Sequence, residues 1–224
     1  MLLWLLVACR ATVLHLTPTR PPDHVVDAYT ASLGRRRYNH AFVGQTAIAV
    51  EEAAPSSTSS VARVRVPQDG LPLREIRQVS LLGSGGRAFR LGRRALLAWR
   101  MHEGSSDTAI RRGKDGSVAT LAAIGPRWMP VWVMNPCRIS YTEARRRGVA
   151  VSYATLEKHL IAGEERMSIY WATSGEVLFE VRSLSRGSGF LGRILFPFIF
   201  PSQRRFFEEQ ARCMREIVAA AQRT

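Results

Sequence analysis

The sequence predicts an α+β fold: a curved antiparallel sheet of about six or seven strands packed on one long C-terminal helix. Three observations carry this. Short segments with period-two alternation follow one another from Ser117 to Leu184, separated by Gly, Pro and Asn turn residues. A helical stripe, Phe207, Ala211, Met214 and Val218, widened by Phe206 and Ile217, marks a helix over Ser202–Gln222. Strands met in series pair antiparallel, so their shared apolar face needs a cover, and the amphipathic helix is the available one.

Along the chain, Met1–Leu16 (MLLWLLVACRATVLHL) opens on a short apolar run. It reads either as a signal- or transit-type leader, followed by an Arg/Ser-rich, acid-poor region, or as an amphipathic helix packed on this protein or a neighbour. Three prolines within Thr17–Pro22 stop any helix there, and Glu51–Ser60 (EEAAPSSTSS) reads as an exposed loop or linker. This divides the chain into a leader or extension (1–37), an attached segment with a linker (38–70) and a compact domain (71–224). Arg74–Leu82 is strand-like, Gly83–Gly86 a turn, and Arg87–His102 a helix with Phe89, Leu96 and Trp99 on one face. Strands are then expected over Ser117–Ile124, Trp128–Met134, Cys137–Glu143, Val149–Thr155, Arg166–Ala172 and Glu176–Leu184. In the last, Val177, Phe179 and Val181 alternate with Leu178, Glu180 and Arg182.

Charge and cysteine content narrow the function. With 32 Lys+Arg against 18 Asp+Glu the chain carries +14, mostly as Arg in short groups such as Arg35–Arg37 and Arg145–Arg147. These groups are not interleaved with aromatics, so nucleic-acid binding is disfavoured against an ordinary solvated basic surface, an anionic membrane surface or a membrane protein complex. Three cysteines without a C-x-x-C disfavour a disulfide scaffold or a zinc ribbon. Gly83-x-Gly85-x-x-Ala88 superficially matches a dinucleotide fingerprint, yet an antiparallel meander follows it instead of a β-α-β unit. His159, Glu164 and Glu165 offer metal-ligand or acid–base types with no second histidine at ligand spacing. Ser183, Ser185 and Arg186 lack a nucleophile elbow, which leaves Arg186 as an anion anchor. No cofactor or metal is implied, and the chain reads as non-catalytic. Gly189–Pro201 (GFLGRILFPFIFP) is apolar on every side: either buried packing or a surface for a membrane or partner.

Several of these residues fall in motifs. A tyrosine leading to Gly-x-Thr stands at Tyr38–Thr46, a Gly-Ser-Gly turn with LL-x-WRMH at Gly83–His102, and NPCRI-x-Y at Asn135–Tyr141. YATLEKHLIAGEER (Tyr153–Arg166), Leu184-Ser-Arg-Gly187 and a Gln-Arg-rich C-terminal helix complete the set. In this order they resemble the domain of unknown function nineteen-ninety family of bacterial, fungal and plant proteins. The sequence departs from the family pattern at Ala154 for glycine, at Glu157-Lys158 for Pro-Gly, and at Leu184-Ser185-Arg186-Gly187 for Phe-Ser-Arg-Pro.

The resemblance implies a helix-grip, START-like fold that encloses an apolar ligand. It also implies an organellar, membrane-associated setting, chloroplast rather than mitochondrion, with a cytoplasmic one as the alternative. On this reading Val149, Val151, Tyr153, Phe179, Val181 and Met214 line the apolar side of a cavity between sheet and helix, with Arg182 or Arg186 at its mouth. The function expected is the binding of a small hydrophobic or amphipathic ligand; the alternative is an accessory structural subunit of an organellar membrane complex. Adjacent strand residues point to opposite faces, so one of Glu164 and Glu165 must be enclosed. A pairing with Arg138, Arg182 or Arg186 is expected to satisfy it.

Overall fold

A computed structural model describes residues 16–48, 58–65, 71–103, 107–125 and 130–223. The apolar start of the leader, Cys9, most of the Glu51–Ser60 loop and Trp128 lie outside the described residues. Among the described residues nine strands form one antiparallel sheet. They are β1 (Leu16–Thr17), β2 (Ser60–Arg65), β3 (Pro72–Ser84), β4 (Thr108–Arg112), β5 (Val118–Ile124), β6 (Trp132–Arg145), β7 (Gly148–Thr155), β8 (Ile161–Trp171) and β9 (Glu176–Gly187). The order across the sheet is β2-β3-β9-β8-β7-β6-β5-β4, with β1 added on β6. The helices are α1 (Asp23–Ala31), the single turn α2 (Gln45–Ile48), α3 (Gly85–Leu97) and α4 (Gly189–Arg223).

The alternation read from the sequence becomes two faces. On β9 Val177, Phe179 and Val181 point inward and join Val149, Val151, Met167 and Ile169 from β7 and β8. Phe207, Ala211, Met214 and Val218 of α4 and Phe89 and Leu96 of α3 close this core from the concave side. The expected arrangement, a curved antiparallel sheet gripping a long C-terminal helix, is the one found.

The opposite face is covered as well. Val26, Tyr29 and Leu33 of α1 and the 3-10 turn after it pack on Val118, Ala122, Trp132 and Met134. Phe42, ahead of α2, packs on Leu73 and Leu184. Ser60–Arg65, at the edge of the stretch read as a linker, pairs with β3 from Ser60↔Arg77 to Arg65↔Pro72.

β1 and β4 add to the strands expected, β8 begins at Ile161 instead of Arg166, and three further elements differ in kind. Asn135-Pro136 is no turn: β6 runs through it as one strand of 14 residues. The Pro136 carbonyl accepts from Leu156 N (3.0 Å), just past the last residue of β7. The missing N–H of Pro136 faces the same side, so no ladder bond is lost. The helix over Arg87–His102 begins at Gly85 and ends at Leu97, where Trp99 turns left-handed (φ 60°). The C-terminal helix begins at Gly189, thirteen residues before Ser202, and holds Pro197 and Pro201 inside it. These prolines deprive the Arg193 and Pro197 carbonyls of their helical donors, and all three residues are exposed. Water can take up both bonds, so the helix continues.

Its start is fixed by close backbone approach. A Cβ on Gly187 would run into the Gly192 carbonyl, and one on Gly192 into the Leu160 carbonyl. Only glycine lets α4 leave β9 at this angle.

Candidate functional site

Between the concave face and α4 lies a cavity of about 550 Å³. It occupies the end of the sheet where β4–β7 and the start of β8 lie under the first half of α4. The alternation places Leu121 and Ala123 of β5, Val133 and Cys137 of β6, and Tyr153 and Thr155 of β7 on its wall. Leu195, Ile199 and Phe206 of α4 face them.

At the β8–β9 end the polar groups converge. The Tyr153 hydroxyl donates to the Glu165 carboxylate, and Gln203 Nε2 reaches Glu165 Oε1 at 3.5 Å. Gln203 also donates to Ser183 Oγ (3.1 Å) and accepts from Ser185 Oγ (3.2 Å). Burial raises the Glu165 carboxyl to about 7, against the opposing pull of the Tyr153 and Gln203 bonds. Burial together with the adjacent Glu165 charge pushes the Tyr153 hydroxyl and the Cys137 thiol well above their usual values. Both therefore stay protonated, and Cys137 is not a thiolate nucleophile. His159, also on the wall, is lowered to about 3 by burial and by His40, and its Nδ1 accepts from Ile161 N at 2.9 Å. At neutral pH the site presents hydroxyls, an amide, a neutral imidazole and a carboxyl that burial has raised to about 7.

Of the residues expected to line the cavity, Tyr153 does. Val149, Val151, Phe179, Val181 and Met214 sit instead in the solid core toward the other end of the sheet. They share the inward face with the cavity, but there α3 and the middle of α4 fill the space. Arg182 and Arg186 are not at its mouth. On β9 they alternate with Ser183 and Ser185 and point to the outer face, where Arg182 pairs with Glu75 (2.6 Å) and Arg186 lies over the Phe42 ring.

The two glutamates do diverge as alternation requires, but neither meets an arginine among the described ion pairs. Glu164, on the outer face, accepts from the backbone N–H of Gly44 (2.8 Å) and Thr46 (3.0 Å) and from Thr46 Oγ1 (3.0 Å). The Tyr38–Thr46 segment thus serves the carboxylate through its backbone. Arg138 holds the carbonyls of Gly34 (3.0 Å) and Arg36 (2.9 Å) under a stacked Tyr38 ring. The enclosed ion pair is a different one: Arg166, 2% exposed, bonds Glu180 at 3.1 Å, and Arg77 bonds the same carboxylate at 2.6 Å.

Ser183 apart, the cavity residues missed in the sequence were Cys137, Leu195, Ile199 and Gln203, and the first three carried no distinguishing signal as site residues. Gln203 alone had one available: an uncharged polar residue on the apolar stripe of a helix, one turn before Phe207. Among the described residues no group of three or more His, Cys, Asp or Glu is placed to hold a metal ion. No helix there is long and apolar enough to cross a membrane.

The YATLEKH turn shows what the departure from the family pattern does. Lys158, where the pattern has glycine, takes φ 74°. A side chain in this left-handed region costs about 1 kcal/mol or more, and glycine avoids it. Lys158→Gly is expected to raise stability by up to about 1 kcal/mol in urea unfolding; a loss would show that the turn tolerates the lysine.

Fold and site together define a helix-grip α+β domain with a ligand-sized cavity under its C-terminal helix. The chain belongs to the family described as "Domain of unknown function (DUF1990)", whose model matches residues 54–213. The UPF0548 protein At2g17695 of Arabidopsis thaliana is 26% identical over 175 residues, 74% of this chain and 84% of that one. Among solved structures, human StAR-related lipid transfer protein 5 is similar at TM-score 0.47 and 9% identity, over 78% of this chain and 93% of that one. Human STARD10 is similar at TM-score 0.46 and 9% identity, over 90% and 81%.

Proposed function

We propose that the protein is a non-catalytic module that binds a small hydrophobic or amphipathic ligand in the cavity beneath α4. The ligand's apolar body would lie against Leu121, Val133, Leu195, Ile199 and Phe206, and its polar end at Glu165 and Gln203. The supporting observation is the cavity itself. Its volume of about 550 Å³ is in the range of small-molecule sites, and one mutually bonded polar cluster, Tyr153, Glu165, Ser183, Ser185 and Gln203, lies at its β8–β9 end. Those groups are bonded to one another, with Ser183 and Ser185 both bonding Gln203, which favours holding a molecule over transforming it. The +14 charge favours work beside an anionic membrane, which we place in an organelle.

The test is extraction of natively purified protein followed by mass spectrometry, then titration of the stripped protein with a fluorescent fatty acid. A co-purifying amphipathic molecule is expected. Gln203→Leu, which removes a hydrogen-bonding anchor at nearly constant volume, is expected to weaken the probe about tenfold. Protein that carries no such molecule and does not bind the probe would sink the reading.

A further inference from the structure

The first half of α4 has a second apolar face turned away from the cavity. Phe190, Ile194 and Phe198 are 83%, 51% and 55% exposed and stand at one-turn intervals. Single exposed apolar residues are ordinary, but three in register make a stripe, and exposed stripes mark interaction surfaces. Pro197 and Pro201 are exposed on the same stretch.

The surroundings say what would cover it. Residues 189–207 contain Arg193, Arg204 and Arg205 and no Asp or Glu. Arg193 is exposed within the stripe, and Arg74 stacks over the ring of Phe200 in the next turn. Arg204 and Arg205 reach Glu208 (3.9 Å) and Glu209 (3.2 Å) in exposed pairs that an anion can readily replace. A second copy of this chain, itself at +14, would bring arginine against arginine. An anionic lipid surface matches both features at once: phosphates for the guanidinium groups and an acyl boundary for the rings.

We propose that the outer face of residues 189–201 docks on an anionic lipid bilayer. Phe190, Ile194 and Phe198 enter the interface, and Arg193 meets the phosphate layer. Leu195 and Ile199, on the reverse of the same turns, wall the cavity. Docking therefore sets the bilayer against the cavity's helical wall. Resting on the ligand-binding reading, this makes the bilayer the source of the ligand.

Flotation of the full chain with vesicles of phosphatidylcholine plus phosphatidylglycerol, against phosphatidylcholine alone, tests the docking. Binding to the anionic vesicles, weakened by salt, is expected. Phe190→Ser/Phe198→Ser should reduce it about tenfold at an unchanged melting temperature, since both positions are exposed. Residues 1–15 are the same in both proteins and cannot produce the difference. A Phe190→Trp reporter should be quenched by brominated lipid. The proposal is overturned if wild type ignores anionic vesicles, if the double variant binds them equally, or if light scattering finds a dimer that the double variant abolishes. Mass spectrometry of the double variant keeps the two readings apart. A retained ligand with lost docking in that variant leaves the cavity reading intact, and wild-type protein that docks with an empty cavity loses only the cavity reading.

Discussion

Replacing Glu165 by glutamine is expected to stabilise the ligand-free protein above pH 7 and to change little below pH 4.5. The sign follows from burial. The Glu165 carboxyl titrates near 7 in the fold, against an ordinary 4.5. Between these values the folded state holds a proton that the unfolded chain has lost. Its contribution is thus fully present below 4.5 and is lost as pH rises to about 7. The shift corresponds to roughly 3 kcal/mol. Glutamine has no charge to bury, still accepts from Tyr153, and escapes this loss. His102 and His159, both lowered to about 3 by burial, slope the other way, losing stability as pH falls from 6.5. Only the difference between variant and wild type isolates Glu165. Urea unfolding at pH 5 and pH 8 reads it, and an equal gain at both would show that Glu165 does not titrate in this range.

Glu180→Ala is expected to be the most damaging single change, at about 3–5 kcal/mol. Glu180 is 4% exposed on the outer face of β9, where it takes Arg166 at 3.1 Å and Arg77 at 2.6 Å. Removing it leaves Arg166, 2% exposed, without a counter-charge among the described ion pairs, held by Thr46 O (3.2 Å), Ser168 Oγ (3.3 Å) and the Tyr170 ring. For a chain of this size the melting temperature should fall by about 10 °C. Arg166→Met combined with Glu180→Leu should recover most of it, because the apolar pair has no charge to desolvate. If Glu180→Ala alone costs under about 1 kcal/mol, water reaches the pair and the outer layer is not sealed by the Tyr38–Thr46 segment.

Much of the architecture was legible because periodicity depends on local geometry. The alternation of Val177, Phe179 and Val181 with Leu178, Glu180 and Arg182 predicted a two-faced strand, and the Phe207–Val218 stripe predicted its cover. Where the expectations missed, a non-local contact had intervened. Asn135-Pro136 looks like a turn in any window of sequence. It is strand because β7 ends beside it and asks for no donor. Pro197 and Pro201 look like helix stops, and the helix passes through them because their exposed face lets water bond the freed carbonyls.

The sequence by itself determined which side chains share a face: the inward and outward sets of each strand, the opposite directions of Glu164 and Glu165, and the core stripe of α4. It could not determine how far along that face the interior is filled. Tyr153 and Val151 are equivalent in the pattern, yet one lines a cavity and the other is sealed by the helices. The difference lies in where α3 and α4 cross the sheet, which Gly187, Gly192 and the Leu160 carbonyl set by contact across separate elements. Partner choice for the buried charges was decided at the same level. An enclosed carboxylate demands a donor, but only the packing of the Tyr38–Thr46 segment against β8 makes that donor the backbone of Gly44 and Thr46 instead of an arginine.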